Sequence, residues 1–497
     1  MKFNSPQPKI LFWLIFGLIF IVWTIINFRQ LNNRYFLDGD FSQYAFVMLD
    51  WRSTGEIPLQ GTKISYAQIK LPPLYYYLIY PFYLITNASH LYAHIACFAY
   101  TWVIFTALGL LLYKRPAYRW SYLFTIAILC FIPIIVANNE RAWNPAFVWQ
   151  PIIIAWYCLA LSDKSKKTTL LILTSGLACA VSLSLEILIA PAVLAILIIG
   201  AVKLRRRCLL LLGSFLVSSI LLWLPILVTE FNQIIQLNLL AYGWEIADQL
   251  SIRFYKLFNF SLTNKYVFTS YDFIIICLAV ISPLVICLFG LNRSNKKTLN
   301  LDWIYLLLIL GITVVVSLIP TIAMMWWYTL GAALIIVLLL THLPTKIKYL
   351  TGSLLIIYWS ITLFKTRQSI PYQASVSSVD ICFKKVCQQL GSQQFYYAMY
   401  TGAISDNAPA YLLSAAGCPP VMRDQFIYGD FLTRLADHDG QLLIFYDLDN
   451  SGEIRSDTTE WSVEQYIAIK PNLDNLYPYT IATGRCDGNW GWTLHAK

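Results

Sequence analysis

The chain has 497 residues, of which 58% are hydrophobic and only 12% charged. A soluble protein of this size carries roughly a quarter charged residues, so the composition excludes an ordinary soluble enzyme and points to a membrane-embedded chain. The net charge of +10 is divided among short clusters between apolar runs. It is not gathered on one soluble surface, which excludes a nucleic-acid footprint.

The first apolar run, residues 10–28, is close to the ~20 residues that cross a bilayer and has no small-residue cleavage site. It is read as a mature anchor. The segment 29–90 follows, opening with "LDGDFSQYAFVMLDW" and closing with "KLPPLYYYLIYPFYL". Phe41, Tyr44, Ala45, Met48 and Trp51 recur at helical spacing, which predicts a helix over 41–54 lying in the membrane interface. The aromatic stretch predicts a short helix over 74–86 at headgroup level. Asp38, Asp40, Lys63 and Lys70 are then expected to face the headgroups. Two readings of the acids stand side by side: a solvated helix start, where Asp satisfies free N–H groups, or a functional pair.

Further spans are predicted at 91–113, 120–137, 146–161, 168–184, 186–202, 208–228, 272–291, 302–319, 322–341 and 349–364, about eleven in all with the first. Basic clusters lie at Lys114/Arg115/Arg119, Lys164/Lys166/Lys167, Lys203/Arg205–Arg207, Arg293/Lys296/Lys297 and Lys346/Lys348. Each is two spans from the next, so all five fall on one side, with Lys2 and Lys9. That side is read as cytoplasmic, which puts the N-terminus inside the cell membrane and the segments 29–90 and 229–271 outside. A short outer loop, "NNERAWNPAF", holds Glu140, Arg141 and Asn144 between two apolar spans. Charges packed at a membrane boundary without a long loop to solvate them point to function, against the plainer reading that they anchor span ends. Glu186 between two spans, and Glu230, Glu245, Asp248 and Arg253 in the long loop, rank lower as solvated charges.

Residues 1–365 thus form a membrane domain, and 366–497, of near-normal polarity, form an α/β domain outside the membrane. "QFYYAMY", "QLLIFYDL" and "YPYTIAT" read as strands and "APAYLLSAAG" as a short helix ended by Gly417. Four of the eleven cysteines lie here: Cys382, Cys387, Cys418 and Cys486. In an oxidising compartment they permit two disulfides in three pairings, with free thiols or a metal as the alternatives.

The first 160 residues resemble the GT-C glycosyltransferases, polytopic enzymes that use polyprenyl-phosphate sugars, among them the protein O-mannosyltransferases and lipid A aminoarabinose transferases. One span precedes an acid-bearing outer loop, where "DGDFSQYA" is similar to the family's Asp-Glu-x-x-Tyr-Ala. "KLPPLYYYL" is similar to its Lys/His-Pro-Pro-Leu-Tyr, and a short second outer loop carries acid, Arg and "WNP". Phe41 stands where the family has Glu, and Lys70 is one residue further from Pro72–Pro73 than in the family's form. The resemblance implies a GT-C-like fold and transfer from a polyprenyl-phosphate sugar to a lipid, glycan or protein acceptor. It implies Asp40 as the catalytic acid, with Asp38 and Glu140 as the other catalytic candidates. Arg141, Lys70 and Lys63 would bind the donor phosphate, and Tyr44, Asn144 and Tyr75 would contact substrate.

The chemistry agrees with those residue types. A sugar hydroxyl is a weak acid, so a carboxylate must take its proton as the bond forms. The departing phosphate needs positive charge, and the planar fork of Arg matches phosphate oxygens. "DGD" also spells the Asp-x-Asp of metal-dependent transferases, so Mg²⁺ or Mn²⁺ shared by Asp38 and Asp40 is the metal alternative. No Walker lysine loop, dinucleotide fingerprint or zinc-type spacing is present. A flippase for lipid-linked glycans, or a non-catalytic assembly protein, are the competing readings.

Overall fold

The computed structural model describes residues 7–28, 39–62, 70–87, 91–132, 135–136, 138–139, 142–162, 167–235, 330–341, most of 349–360, and then 376–390, 395–400, 408–420, 441–447, 475, 478–486 and 490–496. The chain divides into two compact units. The first is Met1–Arg29, Pro58–Phe82 and Ala93–Ile370; the second is Gln30–Ile57, Tyr83–Tyr92 and Pro371–Lys497. The sequence division near 365 assigns all of 29–90 to the membrane domain, whereas here two pieces of that segment group with the tail.

The first unit is a bundle of apolar helices. Its helices are α1 (Gln7–Phe28), α3 (Leu74–Ile85), α4 (Tyr92–Leu112), α5 (Pro116–Phe131), α6 (Trp149–Ser162), α7 (Thr168–Leu185), α8 (Ala190–Leu204), α9 (Cys208–Ile235) and α10 (Leu330–Thr341); α2 belongs to the second unit. Five apolar stretches among the described residues are long enough to cross a membrane. The chain is therefore a polytopic helical membrane protein. One of the five, Ala190–Thr229, is 40 residues long, about 60 Å if straight and about twice a bilayer's hydrocarbon thickness. It breaks at Arg205–Arg207 into α8 and α9, as the two separate spans expected there require. The spans expected at 272–291 and 302–319 lie outside the described residues, and that at 322–341 is described from Leu330 onward. At 12 residues α3 is too short to span.

Aromatic rings join α1 to α4. Phe20 meets Trp102 at 4.4 Å, Trp23 stacks on Phe98 at 5.3 Å, and Trp13 lies 5.9 Å from Tyr113 just after α4. The start of α1 therefore lies beside the end of α4, and the two run antiparallel. Elsewhere small residues set the spacing. Lipid tails are as apolar as Leu, so helices associate in a bilayer through close packing and hydrogen bonds. A Cβ on Gly176 of α7 would lie 2.6 Å from Leu211 O and 2.9 Å from Phe215 N of α9. Ser214 Oγ donates to Leu173 O at 2.7 Å across the same contact. Gly176→Leu should therefore destabilise the fold by about 2–3 kcal/mol through overpacking against backbone. Gly213→Ala, which meets nothing within 4 Å, should hold or raise stability by about 0.5–1 kcal/mol. Thermal unfolding of both variants in detergent checks this pair; equal loss in both would refute the close-packing account.

The second unit contains α2 (Gly39–Thr54), α11 (Val376–Leu390), α12 (Ala408–Ala415) and the strands β1 (Phe395–Tyr400), β2 (Gln441–Asp447), β3 (Tyr479–Cys486) and β4 (Trp490–Ala496). The sheet order is β1-β2-β4-β3, with β1 parallel to β2 and β4 antiparallel to both its neighbours. The helix α12 lies between β1 and β2 in sequence, as a parallel connection needs. It ends at Gly417, φ +93°, where Cys418 N–H donates to Leu413 O at 3.0 Å. Gly484 faces Trp492 across the β3–β4 pair, and a Cβ there would lie 2.5 Å from the indole ring. Cys387 is bridged to Cys418, Cα–Cα 5.7 Å, tying α11 to the end of α12, and Cys382 is also disulfide-bonded. A 31-residue separation makes such a bridge worth about 3–4 kcal/mol on the chain-entropy account.

The helix expected over 41–54 forms as α2, and part of its apolar stripe is covered by protein. Tyr44, Ala45 and Met48 are buried, and Phe46 meets Tyr411 of α12 edge-on at 5.9 Å. A stripe that fits a membrane interface equally fits a protein neighbour, since periodicity reports only that one face is apolar. Two elements had no sequence expectation, α11 and β4.

Candidate functional site

One end of the first unit gathers residues of the segments 61–77 and 142–147. The segment 58–82 folds back on itself: Gly61 N–H donates to Leu71 O at 2.7 Å and Leu71 N–H to Thr62 O at 2.8 Å. A Cβ on Gly61 would lie 2.3 Å from Pro72 O, so only glycine allows this approach. Lys70 Nζ donates to Gln60 Oε1 within the same fold-back. Tyr77 OH donates to Pro58 O at 2.7 Å, and burial raises its phenol above the ordinary value, so it remains a donor at neutral pH.

The next contact runs from this segment to the turn at Ala142. Tyr75, 3% exposed, donates its hydroxyl to Ala142 O at 2.7 Å and sets its ring edge-on to Phe147 at 5.5 Å. Ala142 has φ +48°, a left-handed conformation uncommon outside glycine. Its N–H donates to Asn138 O at 3.0 Å, and Trp143 Nε1 donates to Asn138 Oδ1 at 2.7 Å. The turn that follows Glu140 and Arg141 is thus held from both sides, in the kind of strained backbone that surrounding contacts must over-determine.

Asn144 opens a 3₁₀ turn, Asn144–Phe147, and is buried. Its Nδ2 donates twice, to Leu185 O and to Glu186 Oε2, each at 2.9 Å. An amide nitrogen carries two hydrogens, so these two bonds use both. Glu186 is half-buried at the C-terminal cap of α7, and its N–H closes that helix on Ser182 O at 3.1 Å. A carboxylate at the negative end of a helix is disfavoured by the helix dipole, so its place there calls for another reason. Deeper in, Gln150 Nε2 donates to Thr101 Oγ1 at 2.9 Å and Ala146 O at 3.0 Å, and Ser182 Oγ to Val148 O at 3.1 Å. These bonds satisfy polar groups that lipid could not.

Of the residues singled out in the sequence, Tyr75, Asn144 and Lys70 are therefore in the first unit, with Tyr75 on α3 bonded to the turn at Ala142 and Asn144 just beyond that turn. Glu140, Arg141, Lys63 and Asp38 lie outside the described residues. Asp40 and Tyr44 belong to the second unit, Asp40 as the second residue of α2 and Tyr44 buried with 3% exposure. Glu230, Glu245, Asp248 and Arg253 carry no described side chain. Sequence reasoning ranked Glu186 low. Its only local signal was an acid at a break between apolar runs, and the partner that gives it a place is 42 residues away. Among the described residues no group of three His, Cys, Asp or Glu gathers as a metal site.

No family model matches the sequence, and no curated protein does. Among solved structures the chain is similar to ArnT from Cupriavidus metallidurans bound to undecaprenyl phosphate. Identity is 12% and the TM-score 0.45, over 96% of this chain and 97% of that one. It is also similar to the Archaeoglobus fulgidus oligosaccharyltransferase in complex with Zn and sulfate, at 11% identity and TM-score 0.47, over 89% and 72% of the two chains. The oligosaccharyltransferase AglB from the same archaeon, in complex with an inhibitory peptide and a dolichol-phosphate, gives 10% identity and TM-score 0.47 over 92% and 75%.

Proposed function

We infer that the chain is an integral-membrane glycosyltransferase moving a sugar from a polyprenyl-phosphate donor to a lipid, glycan or protein acceptor outside the cytoplasmic membrane. The observation that carries this reading is the joining of the two motif-bearing segments. "KLPPLYYYL" is tied to "NNERAWNPAF" by the Tyr75–Ala142 bond, and that loop is tied to α7 by Asn144. These bonds lie at the end of the bundle opposite the basic turns, the end where a transfer site outside the cell would have to stand.

In this mechanism Asp40 takes the proton of the acceptor hydroxyl as its oxygen attacks the anomeric carbon. The bond from that carbon to the phosphate oxygen breaks, and polyprenyl phosphate leaves with the electron pair. Direct displacement inverts the anomeric centre. Arg141, Lys70 and Lys63 oppose the charge that grows on the leaving phosphate, and Glu140 orients the acceptor. Asn144 and the Tyr75 hydroxyl act as positioning groups, since their donors already serve the loop. Mg²⁺ or Mn²⁺ on Asp38 and Asp40 is the alternative arrangement of the same site. The chain's orientation is part of the proposal: N-terminus in the cytoplasm, α/β unit outside, in keeping with its disulfides.

The deciding experiment incubates the purified protein with a radiolabelled polyprenyl-phosphate sugar and membrane acceptors. Label should move to a new acceptor with release of free polyprenyl phosphate. Movement of intact donor across vesicles without cleavage would instead establish a flippase, and neither event would leave an assembly protein.

A further inference from the structure

The other end of the first unit carries a concentration of positive charge on three turns. Lys114 and Arg115 follow α4, Lys167 precedes α7, and Lys203 with Arg205–Arg207 joins α8 to α9. All seven are exposed. The turns converge: Tyr118 OH at the start of α5 donates to Ala160 O near the end of α6, and Thr168 Oγ1 donates to Ser162 O. Gly200 near the end of α8 packs on Leu159 of α6 and Leu211 of α9. The described residues of these turns include no acid; Asp163 lies outside them.

Orientation during insertion needs only a count of Lys and Arg, so it does not explain how the α8–α9 turn is built. Arg205 has φ +49° and ψ −117°, a conformation that glycine adopts freely and that costs any residue with a Cβ. Three consecutive arginines project from this 3₁₀ turn. The residues on either side are apolar and open to lipid, Val202 at 40% and Leu209 at 74% exposure. Set in a bilayer, exposed apolar residues beside three arginines would bring the guanidinium forks to the level where acyl chains give way to headgroups, and their geometry suits phosphate oxygens.

We propose that this turn, with the neighbouring lysines, is a binding surface for the phosphodiester headgroups of anionic phospholipids in the adjacent leaflet. The strained Arg205 keeps a third guanidinium where glycine would make an easier turn. A cluster of four to eight basic residues beside a membrane span gains about 5-fold in affinity for anionic lipid per residue, and the gain falls with salt. The inference stands independently of the transferase reading.

The test measures thermal unfolding of the full-length protein in neutral detergent during titration with phosphatidylglycerol or phosphatidylcholine. Phosphatidylglycerol should stabilise the wild type and phosphatidylcholine should not, with the difference shrinking at high salt. Arg205→Gly should unfold no earlier than wild type in lipid-free detergent, because the backbone is relieved, yet bind phosphatidylglycerol about 5-fold more weakly. The triple change of Arg205, Arg206 and Arg207 to Gln should weaken binding about 10²-fold. Equal response to both lipids, unchanged affinity in the triple variant, or the same stabilisation by inorganic phosphate would overturn the proposal. So would loss of folding in Arg205→Gly, since the turn would then require arginine for its own structure.

Discussion

Asp40→Asn should lower sugar transfer by about 10²-fold or more while leaving membrane insertion and lipid-donor binding intact. Asparagine keeps the size and much of the hydrogen bonding of aspartate and removes its ability to take a proton, so the loss should appear in kcat. Asp38→Asn should leave both transfer and stability near wild type if Asp38 serves only the start of α2, because Asn caps a helix about as well as Asp. If the two acids share a metal, both substitutions should be severe, and a chelator should stop the wild-type enzyme. The assay uses purified, detergent-solubilised protein and a polyprenyl-phosphate sugar, after each variant is shown to unfold at the wild-type temperature. Near-wild-type turnover by Asp40→Asn would remove it as the base and shift the role to Asp38 or Glu140.

The second large effect is expected at Asn144. Asn144→Asp removes both donors of a buried amide and sets carboxyl oxygens against Leu185 O and Glu186 Oε2. Leaving two acceptors unserved should cost on the order of 3 kcal/mol, and Asn144→Ala somewhat less because it adds no charge. The aspartate variant should also acquire a pH dependence that the alanine variant lacks. Two adjacent carboxyls in a half-buried place raise the pKa of one of them, so the folded variant binds a proton more tightly than the unfolded chain does. A raised folded pKa gives stability that is present at low pH and lost as pH rises through it. Asn144→Asp should therefore recover part of its deficit as the pH falls. Unfolding temperatures from neutral to mildly acidic pH, with both variants side by side, provide the measurement. A flat profile for Asn144→Asp would mean that Glu186 does not hold the loop.

Much of this protein is legible in its sequence because a bilayer imposes local rules. A span must be apolar over about 20 consecutive residues. The runs at 10–28, 91–113, 146–161 and 168–184 therefore announce themselves, and α1, α4, α6 and α7 follow within a few residues. The break between α8 and α9 was marked by its arginines, and the end of α12 by Gly417, whose φ of +93° a glycine supplies at no steric cost. Strands β1, β2 and β3 showed as short runs rich in aromatic and branched residues. These features depend on neighbours in sequence, so sequence alone determined them.

Tertiary structure decided what depends on residues far apart. Glu186 looked like a stray acid until α7 placed it 2.9 Å from the Asn144 amide. Tyr75 is singled out only by its motif, and its bond to Ala142, 67 residues on, could not be read from sequence. The apolar stripe of α2 could not state whether lipid or protein would cover it, and the fold buries Tyr44, Ala45 and Met48 of it against protein. Strand β4 escaped notice because "WGWTLHA" carries a glycine and little branched apolar content. Its place between β2 and β3 is secured by pairing on both edges and by Trp492 lying over Gly484. A hydrogen bond or a cross-strand contact needs both partners at once, and the chain brings them together only when it folds.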